Sequence, residues 1–258
     1  HSALLTLELL KKFGDAERVK KKCVFTTHTP VPAGHDQFPI EFVKKMLGEL
    51  PCAEGDVCPA GKLNMTLLAL QYSHYVNGVA KIHGEVSREL FPGYPIDSIT
   101  NGVHSQSWVC PYVGALYDEY MPGWRLDPFT LRHSVEIPND KLWDAHQHAK
   151  RELIDYVNRE TNAGMDVDVF TIGFARRATK YKRPYLLFRD KSRLQALAEK
   201  HGKIQILFAG KAHQKDEQGK QLIRDIVAID NQIPGVRVAY LQNYDITICK
   251  KMVAGVDI

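Results

Sequence analysis

Apolar runs alternate with amphipathic segments through the second half of the chain. Runs at residues 169–175, 204–209 and 236–241 have the length and composition of buried strands, and apolar residues at helical spacing follow each one. Strands that are apolar throughout and alternate with helices are typical of a parallel sheet with right-handed crossovers. The pattern therefore predicts an α/β fold for this half.

The first half of the chain is less regular. Residues 1–13 carry leucines at helical spacing and precede Gly14, which predicts an amphipathic helix closed by a glycine. A short strand at 23–27 leads into a loop rich in proline and glycine. Residues 43–50 return to helical spacing, and residues 51–62 are a connector. Two helices are then predicted in direct succession, the first capped by Asn64 and the second containing residues 79–90.

A turn separates the two halves. After a short predicted strand at residues 96–100, Asn101 and Gly102 form a strong turn signal. We place a domain boundary at residues 102–108, and residues 116–154 beyond it are predicted to be mostly helical. By its length alone, a chain of 258 residues suits one large domain or two modest ones, at about 150 residues per domain.

Cationic residues follow directly after the first strand of the regular half. Five of the eight residues from 176 to 183 are lysine or arginine, and guanidinium groups bind phosphate oxygens through paired hydrogen bonds. The sequence predicts a phosphate site at which the strand delivers Arg176 and Arg177 to the N-terminus of a helix that begins near Pro184. Tyr181 anchors the loop. The alternative is a basic face that is only solvated.

Polar residues also follow the other two predicted strands. Gly210 and Lys211 come after the second strand, and Asn243 and Tyr244 come after the third. The carboxyl ends of parallel strands line the edge at which such folds bind ligands. We therefore expect these groups to converge on one crevice, although ordinary loop residues are the alternative for the third strand end.

Composition narrows the class of ligand. The net charge is +4, but residues 173–193 hold eight lysines or arginines against one aspartate. Such a local concentration favours a small anionic ligand over a nucleic acid. The five cysteines are odd in number and form no Cys-x-x-Cys pair, which favours reduced thiols and a cytoplasmic protein. No apolar run reaches the roughly 20 residues that cross a bilayer, so no membrane partner is expected.

Other motifs are absent or wrongly spaced. The glycines between residues 210 and 220 are too far apart for a Walker loop, and no Gly-x-Gly-x-x-Gly supports nicotinamide or flavin binding. The histidines lack partners at metal-ligand spacing, so no metal is expected. These residues alone indicate a two-domain α/β protein with a phosphate site.

Five stretches together resemble the α-glucan phosphorylases in their order and spacing, in particular the shorter bacterial and archaeal branch of these glycogen and maltodextrin enzymes. The stretches lie at residues 26–30, 98–108, 173–183, 209–212 and 241–244. The resemblance covers essentially the whole chain and implies two Rossmann-like domains of the GT-B glycosyltransferase type, both incomplete here. Residues 1–103 would belong to the N-terminal domain, and residues 104–258 to the C-terminal, phosphate- and cofactor-binding domain.

The resemblance also implies an activity, a cofactor and substrates. The activity is reversible phosphorolysis of α-1,4-glucan by inorganic phosphate to glucose 1-phosphate, and the cofactor is pyridoxal 5'-phosphate. The family's cofactor lysine would lie beyond Ile258, so we expect an internal fragment that is inactive by itself. Whether the enzyme is a homo-oligomer such as a dimer is left open.

The family roles fall on ten positions of this sequence. The catalytic group comprises Arg176, Arg177 and Lys182. The sugar-binding group comprises His28, Asn101 and His1. The cofactor-binding group comprises Trp108, Tyr181, Tyr244 and Lys211.

Two other functions stay open. A nucleotide-sugar glucan synthase shares the fold and a basic phosphate site, although residues 181–183 and the Asn243-Tyr244 pair are not expected in it. The other alternative is a non-catalytic module that binds glucan or phosphate. It would keep the crevice but lack the half of the enzyme that carries the cofactor. Thr179 and Lys180 stand where the animal phosphorylases have a His-Glu pair, so the regulation of those enzymes does not transfer.

Overall fold

The computed structural model describes residues 2–31, 34–50 and 57–258. The chain separates into two compact units, divided between Val103 and His104. Both units combine helices with parallel strands, so the fold is mixed α/β. In the described part of the chain, no helix is both long enough and apolar enough to cross a membrane.

The first unit contains short helices and short strands. Its helices are α1 (Leu4–Phe13), α2 (Ala16–Lys20), α3 (Ile40–Leu47), α4 (Met65–Gln71) and α5 (Lys81–Leu90), with a 3-10 turn at Pro59–Gly61. Its strands are β1 (Val24–Thr27), β2 (Gln37–Pro39), β3 (Lys62–Asn64), β4 (Tyr75–Gly78) and β5 (Asp97–Ser98).

Parallel pairing aligns the carboxyl ends of three of these strands. The order is β1-β4-β5, with Thr27 beside Gly78 and Gly78 beside Ser98. Strands β2 and β3 form a separate antiparallel pair. Residues that follow β1, β4 and β5 therefore emerge at one edge of the parallel sheet.

Local signals correctly predict two helix boundaries in this unit. Gly14 ends α1 in the left-handed region, with φ of 60°, where glycine has no steric penalty. The side chain of Asn64 caps α4 by accepting hydrogen bonds from the amides of Thr66 and Leu67. Both boundaries are confirmed because they depend on neighbouring residues alone.

The central strand β4 is absent from the sequence prediction, which passes directly from one helix to the next. The strand has only four residues, and one of them is the polar Asn77. In the structure Asn77 is buried, and its side-chain oxygen accepts a hydrogen bond of 3.0 Å from the Thr26 hydroxyl on β1. Asn77, which local sequence patterns assign to a loop, is thus hydrogen-bonded by a residue 51 positions away.

The second unit is built on a larger sheet. Its helices are α6 (Ser105–Trp108), α7 (Pro111–Tyr120), α8 (Asn139–Thr161), α9 (Lys191–His201), α10 (Glu217–Val227) and α11 (Ile246–Gly255). Its strands are β6 (Phe170–Ala175), β7 (Ile204–Ala209) and β8 (Val236–Leu241), with 3-10 turns at Pro128–Glu136, Lys180–Lys182 and Leu186–Phe188.

Helices cover both faces of this sheet. The strands are parallel in the order β6-β7-β8, and Ala175, Ala209 and Leu241 lie level at their carboxyl ends. Side chains of α8 and α11 pack on one face and those of α9 and α10 on the other. All six residues of β7 are buried, as expected for the middle strand of a parallel sheet.

The last two residues pair with β6 on the side away from β7. The amide of Asp257 donates to the carbonyl of Thr171 at 2.9 Å, and the amide of Gly173 donates to the carbonyl of Ile258 at 2.7 Å. Strand β6 therefore lies between β7 and this segment, at the point where the chain switches direction across the sheet. Ligands of open α/β sheets bind at the carboxyl end of such a switch point.

The predicted helix near Pro184 is wrong. The structure has two short 3-10 turns around this proline, and α9 begins only at Lys191. Arg183 adopts a left-handed conformation with φ of 51°, which a helix does not accommodate. The Asp190 side chain provides the cap instead, because it accepts a hydrogen bond of 2.9 Å from the amide of Arg193.

A buried ion pair connects α8, β6 and the end of the chain. The Lys150 ammonium lies 2.7 Å from the carboxylate of Asp257 and donates to the carbonyl of Val169. The same carboxylate accepts hydrogen bonds from His146 and from the amide of Thr171. Burial acts to raise the pKa of Asp257, but these donors outweigh burial and hold that pKa below its ordinary value.

Replacing Lys150 with methionine should destabilise the protein by about 3–5 kcal/mol, because the Asp257 carboxylate would stay buried without its cation. Urea unfolding of the variant measures this loss. Lys200→Met, which removes an exposed lysine of α9, is the matched control and should change stability little. Equal unfolding midpoints for the two variants would contradict the proposed contribution of the buried ion pair to stability.

The pH dependence of stability should report the same carboxylate. Because folding lowers the pKa of Asp257, its contribution is present above the unfolded-state pKa of about 3.9 and is lost as the pH falls through the lower folded-state pKa. Asp257→Asn should therefore be less stable than the parent at pH 7, with the difference shrinking below about pH 4. A difference that is the same at both pH values would argue against this linkage.

Candidate phosphate-binding site

The two arginines lie directly after β6, where backbone hydrogen bonds hold them against the loop that follows β7. The amide of Arg176 donates to the carbonyl of Ala209 at 3.1 Å, and the amide of Ala178 donates to the carbonyl of Lys211 at 3.2 Å. The side chains of Arg176, Arg177 and Lys211 are exposed. The structure thus brings three predicted cations together at the carboxyl edge of the sheet.

Close contact between these loops requires a glycine. A Cβ atom on Gly210 would lie 2.0 Å from the carbonyl oxygen of Arg176, so any side chain there would force the loops apart. The hydroxyl of Tyr240 on β8 donates to the carbonyl of Gly210 at 3.2 Å. Burial raises the pKa of Tyr240 to about 12, so this phenol stays protonated and can donate at neutral pH.

The helix that approaches the cationic loop is α10 rather than a helix at Pro184. A Cβ atom on Gly219, in the first turn of α10, would lie 2.4 Å from the carbonyl oxygen of Ala178. Asp216 caps this helix by accepting a hydrogen bond of 2.9 Å from the amide of Gly219. The positive end of a helix dipole thus lies beside the loop, but this helix begins at Glu217, 35 positions after the turn that ends at Lys182.

Thr179 provides a polar group that sequence reasoning missed as a site residue. Its hydroxyl oxygen is buried and has no hydrogen-bond partner in the described part of the chain. Its backbone amide donates to the carbonyl of Arg177 at 2.9 Å, which tightens the turn after the arginines. Thr179 follows the two arginines closely in the chain, and a hydroxyl and guanidinium groups are both donors that suit an oxyanion.

Tyr181 and Lys182 lie on the 3-10 turn that follows. Tyr181 is exposed, and the ammonium group of Lys182 lies 4.8 Å from the centre of its ring, within the range of a cation–π contact. Lys182 and Arg183 also line a groove with a volume of about 1010 Å³ beside β6. Lys182 is therefore one of the cations that line this groove.

The other two predicted cofactor-side aromatic residues, Tyr244 and Trp108, both lie near α11. Tyr244 precedes this helix and is half-buried, and burial followed by a hydrogen bond with Cys249 raises its pKa to about 12. Trp108 lines cavities of about 660 and 490 Å³ along α11, with Val253 and Ile246 among their walls. The described residues that line these two cavities include none from the loops after β6 and β7.

The predicted sugar-binding residues belong to the first unit. His28 follows β1 and is exposed, and the amide of Asn101 donates to the carbonyl of Val79 at 3.1 Å, just after β4. Parallel pairing thus brings His28 and Asn101 to one edge of the sheet. His1 lies outside the described residues. Among the residues that the structure describes, no group of three or more histidines, cysteines or carboxylates could hold a metal ion.

Sequence comparisons give the same family as the motifs. The sequence model of the carbohydrate phosphorylase family matches residues 56–258. The maltodextrin phosphorylase of Thermococcus litoralis is 38% identical over 279 aligned positions, which cover 93% of this chain and 33% of the relative. The glycogen phosphorylase of Aquifex aeolicus is 33% identical over 288 positions, covering 94% and 41%.

A third relative is the glycogen phosphorylase of Mycobacterium tuberculosis, which is 34% identical over 286 positions and covers 93% of this chain. Because the family model matches well over half of the sequence, the chain belongs to the carbohydrate phosphorylase family. The chain spans between a third and about two fifths of the length of these relatives.

Replacing Gly210 with alanine should separate the loops that carry Arg177 and Lys211. Overpacking of this kind costs about 1–3 kcal/mol, so the urea midpoint should fall. The slight rise in melting temperature that we expect from millimolar phosphate, by mass action on the folded state, should disappear.

Gly114→Ala on α7 is the control, since its added Cβ atom would make only ordinary contacts, the nearest at 3.6 Å. It should be neutral or slightly stabilising, because alanine favours a helix interior. A Gly210→Ala protein that matches Gly114→Ala in both measurements would show that the loops are not packed as described.

Proposed function

We propose that these residues are part of an α-glucan phosphorylase, a glycosyltransferase that catalyses the reversible phosphorolysis of α-1,4-glucans such as glycogen, starch or maltodextrin to glucose 1-phosphate. The main support is the hydrogen-bonded coupling that holds Arg176 and Arg177 beside Lys211 at the strand-end edge. Membership of the carbohydrate phosphorylase family over residues 56–258 supports the same reaction.

The reaction needs a site that holds inorganic phosphate close to the end of a sugar chain. An oxygen of phosphate bonds to the anomeric carbon of the terminal glucose, the glycosidic bond breaks, and the departing 4-oxygen takes the proton of that phosphate. Arg176 and Arg177 are suited to bind the phosphate oxygens bidentately. In the transition state the sugar carries positive charge and the phosphate beside it carries negative charge. The two arginines would stabilise that phosphate and hold it in place.

The residues present fit a second phosphate, that of pyridoxal 5'-phosphate. The fit rests on the donor set: exposed cations on two coupled loops, the unpaired hydroxyl of Thr179 and the N-terminus of α10. When bound, the cofactor supplies a phosphate that exchanges a proton with the substrate phosphate. We propose that Lys211, Lys182 and Tyr181 hold this group, with Tyr244 and Trp108 along α11.

Two phosphates in one site repel each other strongly, and the chain's cations offset that repulsion. Lys182 would contact both anions. Cationic neighbours stabilise ionised phosphate oxygens and still leave a titratable proton between them. This accounts for five cationic residues among the eight from 176 to 183, which would otherwise only destabilise the loop.

We propose that the first unit binds the sugar. His28 and Asn101 emerge at the same sheet edge, and they would hydrogen-bond the region of the 6-hydroxyl group. The two units would then be parts of the two Rossmann-like domains of a GT-B enzyme, split near Val103. We place this enzyme in the cytoplasm, which the free thiols of Cys23, Cys110 and Cys249 support.

Removing the side chain of Arg177 tests the proposal. In the full-length enzyme Arg177→Ala should lose about 2–4 kcal/mol of phosphate affinity and transition-state stabilisation, or roughly 30- to 900-fold in kcat/KM for phosphate. Initial rates of glucose 1-phosphate release from maltodextrin at varied phosphate concentration measure both effects.

Two further variants make the result specific. Lys211→Ala should lose less than Arg177→Ala, because the side chain that it removes would hold the cofactor's phosphate rather than the reacting phosphate, and the backbone hydrogen bond that couples the loops remains. Arg159→Ala removes an exposed arginine from α8 and should leave the rates unchanged. Normal phosphate saturation in Arg177→Ala would remove this residue from the site, and a full-length protein that releases no glucose 1-phosphate would refute the proposed reaction.

A further inference from the structure

A buried histidine lies at the carboxyl end of β4, in the first unit. His83 belongs to the first turn of α5 and is only 9% exposed. Its ring packs directly over the last residue of β4, since a Cβ atom on Gly78 would lie 2.5 Å from His83 Nδ1. A side chain at position 78 would therefore displace the imidazole.

The two ring nitrogens of His83 have different surroundings. Nδ1 accepts a hydrogen bond of 3.3 Å from the amide of Val79, so a neutral ring carries its proton on Nε2. Nε2 is buried, and among the described residues it has no hydrogen-bond partner. A buried N–H group without a partner is costly. An apolar side chain would avoid this cost, but it would lose the acceptor at Nδ1.

The surroundings of His83 favour the neutral ring that this hydrogen bond requires. Burial, and to a smaller extent the nearby charge of His28, lower the pKa of His83 below its ordinary value. A protonated imidazole would place an N–H group at Nδ1, facing the amide of Val79, and the hydrogen bond would be lost. At pH 7 the ring is therefore neutral, and Nδ1 can accept.

Val79 connects His83 to Asn101. The amide of Val79 donates to His83 Nδ1, and the carbonyl of Val79 accepts a hydrogen bond of 3.1 Å from the amide of Asn101. One residue earlier, the carbonyl of Gly78 accepts from the amide of Ile99 at 2.9 Å. The pairing of β4 with β5 thus continues past both strands, and the imidazole fixes the backbone of the residue to which Asn101 is bonded.

His83 is also a neighbour of the other proposed sugar-binding residue of this edge. The charge of His28 acts on His83, and Thr27, directly before His28, lies beside Gly78 in the sheet. A neutral His83 places no positive charge next to His28. One imidazole is therefore linked to both proposed sugar-binding residues, to His28 by electrostatics and to Asn101 by hydrogen bonds.

We propose that His83 is a positioning residue of the sugar site: its ring holds the backbone of Val79, which in turn fixes Asn101 at the edge that it shares with His28. His83 would not contact the sugar, because its Nε2 atom is buried within the fold. The inference rests on the proposed function. Displacing Asn101 should weaken glucan binding but not phosphate binding, since Arg176 and Arg177 belong to the second unit.

Three substitutions in the full-length enzyme test the role of Nδ1. His83→Asn keeps an acceptor on the atom bonded to Cγ, which is the position of Nδ1, whereas His83→Gln has polar atoms only one bond further out and His83→Leu has none. Initial rates of glucose 1-phosphate release are measured at varied maltodextrin and at varied phosphate concentration. The KM for maltodextrin should rise about tenfold in His83→Leu and His83→Gln, as expected for one lost hydrogen bond, and less than about threefold in His83→Asn.

The KM for phosphate should stay at the parental value in all three variants, which a general loss of folded protein would not produce. His74→Leu is the matched control. His74 is exposed at the opposite end of β4, where its ring is hydrogen-bonded to the carbonyl of Lys20, so its removal should change neither KM. Urea unfolding of each variant measures its stability. If His83→Leu does not fold, the comparison of His83→Asn with His83→Gln decides.

Several results would overturn the inference and leave the proposed function intact. They are a parental KM for maltodextrin in His83→Leu and His83→Gln, no recovery in His83→Asn, or an equal rise in both KM values. A parent enzyme that releases no glucose 1-phosphate would instead refute the proposed function. Calorimetric titration with maltopentaose would then test the same variants by affinity, and a parent that binds no maltopentaose would overturn the inference as well.

Discussion

The candidate site depends on two backbone hydrogen bonds between neighbouring loops. The amides of Arg176 and Ala178 donate to the carbonyls of Ala209 and Lys211, so the pairing of β6 with β7 continues beyond the strands themselves. Without this coupling, the arginines would stand on a free loop, and holding them near an anion would cost conformational entropy. Gly210 permits the contact, and Tyr240 supports it from β8.

The same cationic segment forms two surfaces, and a change of backbone direction separates them. The left-handed conformation of Arg183 and the following Pro184 turn the chain away from the strand-end edge. Arg176 and Arg177 therefore lie at that edge, whereas Arg189 and Arg193 line the groove beside β6, which is lined largely by apolar residues. Cations that are close in sequence thus lie in two chemically different surroundings, one polar and one apolar.

Sequence patterns predict the second unit well because its signals are local and repeated. The strands β6, β7 and β8 are apolar along their length, and their order along the chain fixes a parallel sheet. Short strands with a polar residue are missed by such patterns, as β4 is, because the hydrogen bond to the Asn77 side-chain oxygen comes from Thr26, which is distant in sequence. The helix expected at Pro184 does not form because the chain is left-handed at Arg183, and the first side-chain cap comes only at Asp190.

For the candidate site, the sequence identifies the cationic residues but only part of their arrangement. Arg176, Arg177 and Lys211 follow apolar runs, so their common edge is predictable from the parallel sheet. The roles of Gly219 and Tyr240 are not, because both depend on contacts across the sheet between segments far apart in sequence. Thr179 carries no sequence signal of its own, and only its buried position distinguishes it.

The ion pair of Lys150 with Asp257 joins residues 107 positions apart, and this separation constrains how the second unit folds. Contacts between distant residues form slowly, because loop-closure entropy is lost before they are gained. During synthesis, β6 therefore emerges long before Asp257 can pair beside it. Until then its outer edge exposes unpaired amides and carbonyls, which are the groups through which strands of different chains associate. The nascent protein thus has an aggregation-prone interval whose length is set by the rate of translation from residue 175 to residue 258.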